Sequence, residues 1–157
     1  MVPSYTPKIV EALKDYKFKS VLEFACGDGQ NLQAIKDSFP EVIIDGFDID
    51  PKNDYKFWDL MNLPYPYKNK SFDIVLIAAT LLLFGDGDVK LILKETKRIA
   101  KKMILLVERH REDGEIVETT YNRENRIHHN YKRFFSNLEI VSDAGKWNGD
   151  IIKIVLK

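Results

Sequence analysis

The stretch VLEFACGDGQNL, residues 21–32, constrains the fold more than any other part of the chain. Val21-Leu22-Glu23-Phe24-Ala25 reads as a buried strand, Cys26-Gly27-Asp28-Gly29 turns the chain, and a helical pattern begins near Gln30. A strand that runs through a short turn into a helix is the opening unit of a layered α/β sheet. Such a junction needs one glycine or none. Two of them, one residue apart, let the turn close tightly and let a ligand lie against the backbone, where the helix N-terminus offers free N–H groups.

The rest of the sequence repeats the unit. Thr6-Pro7 reads as an N-cap with proline at the first helical position, and Ile9, Val10 and Leu13 follow at helical spacing. A helix over Gln30 to Ser38 stops before Pro40. EVIIDGFDI is a second strand, YKFWDL holds a short third, and SFDIVLIAA is apolar enough for a central strand. DVKLILKETKRIAK places Val89, Ile92, Leu93, Thr96 and Ile99 on one helical face. KMILLVER is a further strand, YKRFFSN reads as helix, and LEIVS and DIIKIVLK are the last two strands. The gap between those two is too short for a parallel crossover, so the last strand inserts antiparallel. The expected fold is α/β: a Rossmann-like, doubly wound, mostly parallel sheet with an antiparallel last strand and helices on both faces.

With 157 residues the chain suits one domain. We divide it into an N-terminal helix (1–18), a ligand-binding core (19–109), a substrate loop (110–132) and C-terminal helix and strands (133–157). Lys plus Arg equals Asp plus Glu at 24 each, which argues against nucleic acid as the main partner. The N-terminus lacks the apolar core of a signal peptide and no apolar run reaches membrane-spanning length, so no membrane partner is expected. One cysteine, Cys26, permits no intrachain disulfide or cysteine metal cluster, and a cytoplasmic setting is the default.

Sheets of this kind bind ligands at the carboxyl ends of their strands. Asp48, at the tip of the second strand, follows Gly27 by 21 residues (48 − 27), a spacing at which a carboxylate accepts hydrogen bonds from ribose hydroxyls. A dinucleotide site wants Gly-x-Gly-x-x-Gly, but Leu32 stands where the third glycine would be. Glu23 and Asp28 flank the turn, and carboxylates repel a pyrophosphate but suit a sulfonium with an ammonium group. The pattern therefore favours S-adenosylmethionine over NAD.

Three segments in order resemble the class I S-adenosylmethionine-dependent methyltransferases, in the branch that acts on small metabolites. VLEFACGDGQNL is similar to their first motif and GFDIDP to their second. DLMNLPYPYKNKSFDIVLIAATLLL is similar to the segment that leads through an adenine-contacting Asp into the fourth strand. The resemblance covers about Lys19 to Glu108 and implies a seven-stranded sheet. It implies that Glu23 and the backbone of Ala25, Cys26, Gly27 and Gly29 hold the methionine moiety. Asp48 would then bind ribose, Ile49 pack on adenine, Asp59 accept from the adenine amino group with Leu60 beside it, and Ile77 and Ala78 line the sulfonium end. The chain departs from the pattern in Ala25, where the family has a glycine. It also departs in the nine residues from Asp50 to Asp59, which leave room for a turn and not a helix, and in the apolar Leu82 and Leu83 after the fourth strand.

The C-terminal third collects all three histidines. His110, His128 and His129, with Tyr121, Tyr131 and the more distant Tyr5, are the candidate acceptor contacts. Asp113-Gly114 reads as a hairpin turn. The adjacent pair His128-His129 points apart in an extended loop, so no metal site is expected. The leading reading is methyl transfer to a small-molecule acceptor. A scaffold that holds the nucleoside without turnover and an RNA methyltransferase are the alternatives.

Overall fold

The computed structural model describes residues 3–112, 116–118, 125–143 and 149–157. The described elements run α1 (Thr6–Leu13), β1 (Ser20–Phe24), α2 (Gln30–Ser38), β2 (Ile43–Asp48), β3 (Lys56–Phe57) and β4 (Phe72–Ala78). They continue through a 3-10 turn (Leu81–Leu83), α3 (Asp86–Ile99), β5 (Ala100–Glu108), β6 (Ile116–Glu118) and β7 (Asn125–Ile127). A second 3-10 turn (Tyr131–Arg133), β8 (Leu138–Asp143) and β9 (Asp150–Val155) complete the order.

Seven strands form one sheet in the order β3-β2-β1-β4-β5-β9-β8. β1 pairs in parallel with β2 on one side and β4 on the other. β9 is antiparallel to both β5 and β8, so it is the one strand of this sheet that runs against the rest. The expected insertion of the last strand is thus what the sheet contains. Strand order reverses between β1 and β4, and register places Phe24 level with Phe47 and Ile77. The tips of β1, β2 and β4 therefore end together, at the switch point where such sheets open a crevice.

Alternation along the strands feeds two cores. Val21, Leu76 and Leu105 meet Ile9, Leu13, Leu32 and Ile35 of α1 and α2. Leu22, Val75 and Ile104 meet Val89 and Ile92 of α3 on the opposite face. Wholly buried side chains such as Leu32 and Ile35 each contribute about 1.5–3 kcal/mol, which pins α2 and its N-terminal turn to the sheet.

Local readings needed correction in two places. Thr6 is not the cap of α1: Tyr5 precedes the helix without a side-chain cap, and the Thr6 hydroxyl donates to Asn31 Oδ1 at 2.6 Å. YKRFFSN forms a single 3-10 turn over Tyr131–Arg133, because Tyr131 is drawn wholly into the core where a longer helix would have to turn away. β6 pairs with β7 as a separate two-stranded sheet, while Asp113-Gly114 lies outside the described residues. Between β2 and β3 there is a turn and no helix, as the spacing predicted.

Candidate functional site

The turn after β1 is bent by three left-handed residues in five: Ala25 (φ 52°), Gly27 (φ 55°) and Gly29 (φ 77°). For Ala25 this conformation is strained, and strain of this kind gathers at ligand sites. The two glycines serve different ends. A Cβ on Gly29 would stand 2.1 Å from the Tyr55 ring, so that glycine makes room for protein. A Cβ on Gly27 would meet nothing within 4 Å, so that glycine leaves its backbone bare toward open space.

Asp48 holds this turn. Its Oδ2 accepts the Gly27 N–H at 2.8 Å and its Oδ1 accepts the Asp50 N–H at 2.8 Å. Each oxygen keeps lone-pair capacity for a further donor. Cys26 is buried beside the turn, and burial, with Glu23 and Asp48 nearby, pushes its thiol up to about 12.

Glu23 is the central group. It is 2% exposed at the tip of β1. Its Oε1 accepts from Asn31 Nδ2 at 2.7 Å, and Asn31 in turn accepts from Thr6. Its Oε2 is buried without a hydrogen-bond partner. Burial pushes the carboxyl up to about 8, against the lowering effect of Asn31. Tyr5 lies close enough that Glu23 and Glu108 add to the burial that raises its hydroxyl to about 12.

Two recesses open here. One, of about 170 Å³, is lined by Tyr5, Glu23, Gly27, Asn31 and Ala78 among others. The other, of about 290 Å³, is lined by Asp48, Ile49, Trp58, Asp59, Leu60 and the Thr80–Phe84 turn. Ala25 lines both, so they meet at the strained residue. The smaller recess is polar and acidic, and the larger has apolar walls with a carboxylate on either side. Asp59 directs Oδ1 to the Met61 N–H and stands exposed at the rim.

Most of the residues singled out for the cofactor come together at these recesses: Glu23, Ala25, Cys26, Gly27, Asp48, Ile49, Asp59, Leu60 and Ala78. Gly29 stands just behind. Ile77 does not line either recess; one step from Ala78 along β4, it faces the α3-side core and is wholly buried. Leu83 is 54% exposed on the wall of the larger recess.

The acceptor candidates sit differently. Among the described candidates, Tyr5 lines the smaller of these two recesses. His128, His129 and Tyr131 are buried in a knot beyond β5 and line neither recess. His129 Nδ1 lies 2.7 Å from Asp86 Oδ1, while His128 Nε2 lies 3.5 Å from Arg109 Nη1, so the adjacent pair does diverge. His110 Nδ1 accepts the Tyr131 N–H at 3.2 Å, and burial, then Lys132, lowers its proton affinity. Tyr121 lies outside the described residues. Among the described residues no three His, Cys, Asp or Glu side chains converge to hold a metal.

Sequence reasoning passed over Asn31, Trp58, Thr80 and Glu108. Asn31 left a signal, a polar residue on the apolar face of α2 beside Leu32 and Ile35. Glu108 left another, a carboxylate ending the wholly apolar run Met103–Val107.

The sequence profile of the family described as "Methyltransferase domain" matches residues 22–107, more than half of the chain. The chain belongs to the methyltransferase-domain family. No curated protein sequence matches it. Among solved structures, human N-acetylserotonin methyltransferase in complex with SAM superposes with a TM-score of 0.71 at 18% identity, over 94% of this chain and 50% of that one. A putative O-methyltransferase from Nostoc punctiforme gives 0.74 at 14% identity, over 99% and 57%. Streptomyces venezuelae DesVI gives 0.67 at 10% identity, over 98% and 91%. At these identities the likeness is one of fold. The chain spans about half the length of the human and Nostoc proteins.

Proposed function

We propose that this methyltransferase domain binds S-adenosylmethionine and transfers its methyl group to a small-molecule acceptor. The observation that carries this reading is the pair of recesses that share Ala25 beside the open backbone of Gly27, the smaller one lined by Glu23, whose Oε2 is buried and unpartnered. The residues fit the cofactor by chemistry. Glu23 would accept from the ammonium of the methionine arm, Asp48 would accept from ribose, and Ile49, Trp58 and Leu60 would cover adenine with Asp59 at its edge.

The sulfonium, when bound, supplies a methyl group already activated for displacement. The chain's own part is alignment and the exclusion of water. Tyr5 and the Thr80–Phe84 turn stand on either side of the junction at Ala25, where an acceptor would enter. No described histidine lines either recess, which suits an acceptor that reacts through a free lone pair and needs no dedicated base. Leu83, largely exposed on the wall of the larger recess, favours the second reading, a domain that holds the nucleoside without turnover. The single free thiol of Cys26 fits a reducing, cytoplasmic setting, and no described helix is long and apolar enough to cross a membrane.

The test is calorimetric titration of the full chain with S-adenosylmethionine and S-adenosylhomocysteine, followed by incubation of a metabolite mixture with methyl-labelled donor. Binding of both and label in a small product support transfer. Binding without label under many mixtures supports the holding reading. Absence of binding to either compound overturns the proposal.

A further inference from the structure

The Thr80–Phe84 turn walls the larger recess through Thr80, Leu83 and Phe84. A single 3-10 turn has little stability of its own. Within it Leu81 is wholly buried, while Leu83 is largely in solvent. Its backbone is held from behind by two side chains distant in sequence. Glu108 Oε1 accepts the N–H of Thr80 at 2.7 Å and of Leu81 at 2.8 Å. His129 Nε2 lies 3.1 Å from the Leu81 carbonyl oxygen.

Leu81 is thus fixed at both its N–H and its C=O. The His129 ring spans from that carbonyl to Asp86 Oδ1, so it bridges the turn and the start of α3. Asp86 opens α3, and Glu108 closes β5. The clamp therefore ties the wall of the recess to α3, to β5 and to the segment after β7.

We propose that Glu108 and His129 are positioning residues that set the Thr80–Phe84 wall, and through it the affinity of the larger recess for the nucleoside part of its ligand. This rests on the cofactor reading above. Neither side chain touches the ligand. Each acts through backbone groups that, once released, leave Leu83 and Phe84 without a fixed position. A carboxylate that is 1% exposed and spends one oxygen on two backbone N–H groups is costly to keep for packing alone.

The experiment measures S-adenosylhomocysteine affinity by calorimetry on the full chain. Glu108→Leu, which leaves two N–H groups unpaired, should weaken binding by about tenfold or more, the cost of losing charged hydrogen bonds. Glu108→Gln keeps an acceptor oxygen and should return affinity to within about threefold of the parent. A double-mutant cycle with Leu83→Ala supplies the readout that bulk destabilisation would not move. Leu83→Ala should weaken binding in the parent and have little further effect in the Glu108→Leu background. His129→Gln, run through the same cycle, covers the case in which Glu108→Leu fails to fold. Coupling in either background supports the clamp. Additive losses in the folded variants overturn it while the parent still binds. A parent chain that does not bind overturns the cofactor reading and the clamp with it.

Discussion

Glu23 lines a recess, whereas the polar groups around Tyr131 line neither recess and are bonded largely within the chain. Both clusters lie beyond the carboxyl ends of the strands, and both bury ionisable groups. In the first, Glu23 Oε2 is unpartnered, the Gly27 backbone is bare, and Ala25 is held in a left-handed conformation. In the second, Tyr131 is wholly buried between the rings of His110 and His129, at centroid distances of 6.3 and 5.8 Å. The Arg111 N–H donates to the His129 carbonyl, the Tyr131 N–H to His110, and His129 reaches Asp86 and Leu81. Glu108 Oε2 and His110 Nε2 are also buried without a partner, so an orphaned atom alone does not mark a ligand site; at Glu23 it coincides with a recess, and in the knot it coincides with neither. Residue type alone does not tell these cases apart, since histidine and tyrosine serve as readily in a knot as in a pocket.

The comparison breaks most visibly at Tyr131. If the knot is structural, Tyr131→Ala should cost about 3–5 kcal/mol of stability, as for other large buried aromatics, read from urea denaturation. A loss below about 1 kcal/mol would show that the knot carries little of the fold and would return its histidines to the list of acceptor contacts.

Glu23→Gln tests the other side. The neutral amide can still accept from Asn31, and it removes a buried carboxylate whose ionisation the fold resists. Thermal stability should hold or rise, while affinity for S-adenosylhomocysteine falls by about 1.5–3 kcal/mol, the worth of hydrogen bonds to a charged group. A variant that loses stability and keeps its affinity would make Glu23 a purely structural residue. Asp48→Ala falls between the two regions. Its carboxylate holds the Gly27 and Asp50 N–H groups, so truncation should loosen the turn as well as remove the ribose contact. A loss of about 1–3 kcal/mol in binding is expected, with a smaller loss in stability, both from the same titrations.

The sequence disclosed the recess far better than the knot. The glycine turn, Asp48 and Asp59 belong to a local grammar, in which spacing along one chain fixes position at the tips of adjacent parallel strands. Two carboxylates flanking the turn also carried the choice of cofactor chemistry. The knot is a product of long-range contacts. That His129 would reach Leu81 across 48 residues, or Glu108 the N–H of Thr80 across 28, has no periodic signature. Thr6 misled for the same reason. Its local pattern is that of a cap, but Asn31, 25 residues on, captures its hydroxyl. The 3-10 turn at Tyr131 shows tertiary burial overriding local helical spacing.

The smallest expected effect is the most diagnostic of the difference. Burial raises Glu23 from the ordinary 4.5 to about 8, and Glu108 from 4.5 to about 7. For an acid raised on folding, the native state holds the proton more tightly than the unfolded chain does. Stability from these groups is therefore full below about 4.5 and declines as pH rises, to about 7 for Glu108 and about 8 for Glu23. A ligand's ammonium group beside Glu23 reverses the preference there, because it favours the carboxylate. Binding of S-adenosylhomocysteine at pH 7 should release most of one proton, and affinity should rise about tenfold between pH 7 and pH 9, equivalent to about 1.4 kcal/mol. Calorimetry in two buffers of different ionisation enthalpy measures the released proton directly. Glu108 lines neither recess, and its Oε1 is held by the Thr80 and Leu81 N–H groups, so it should contribute little to that release. The proton should thus vanish in Glu23→Gln and persist in Glu108→Gln. The opposite pattern would exchange the roles of the two glutamates, placing the ligand's charge beside β5 and leaving Glu23 as the buried prop.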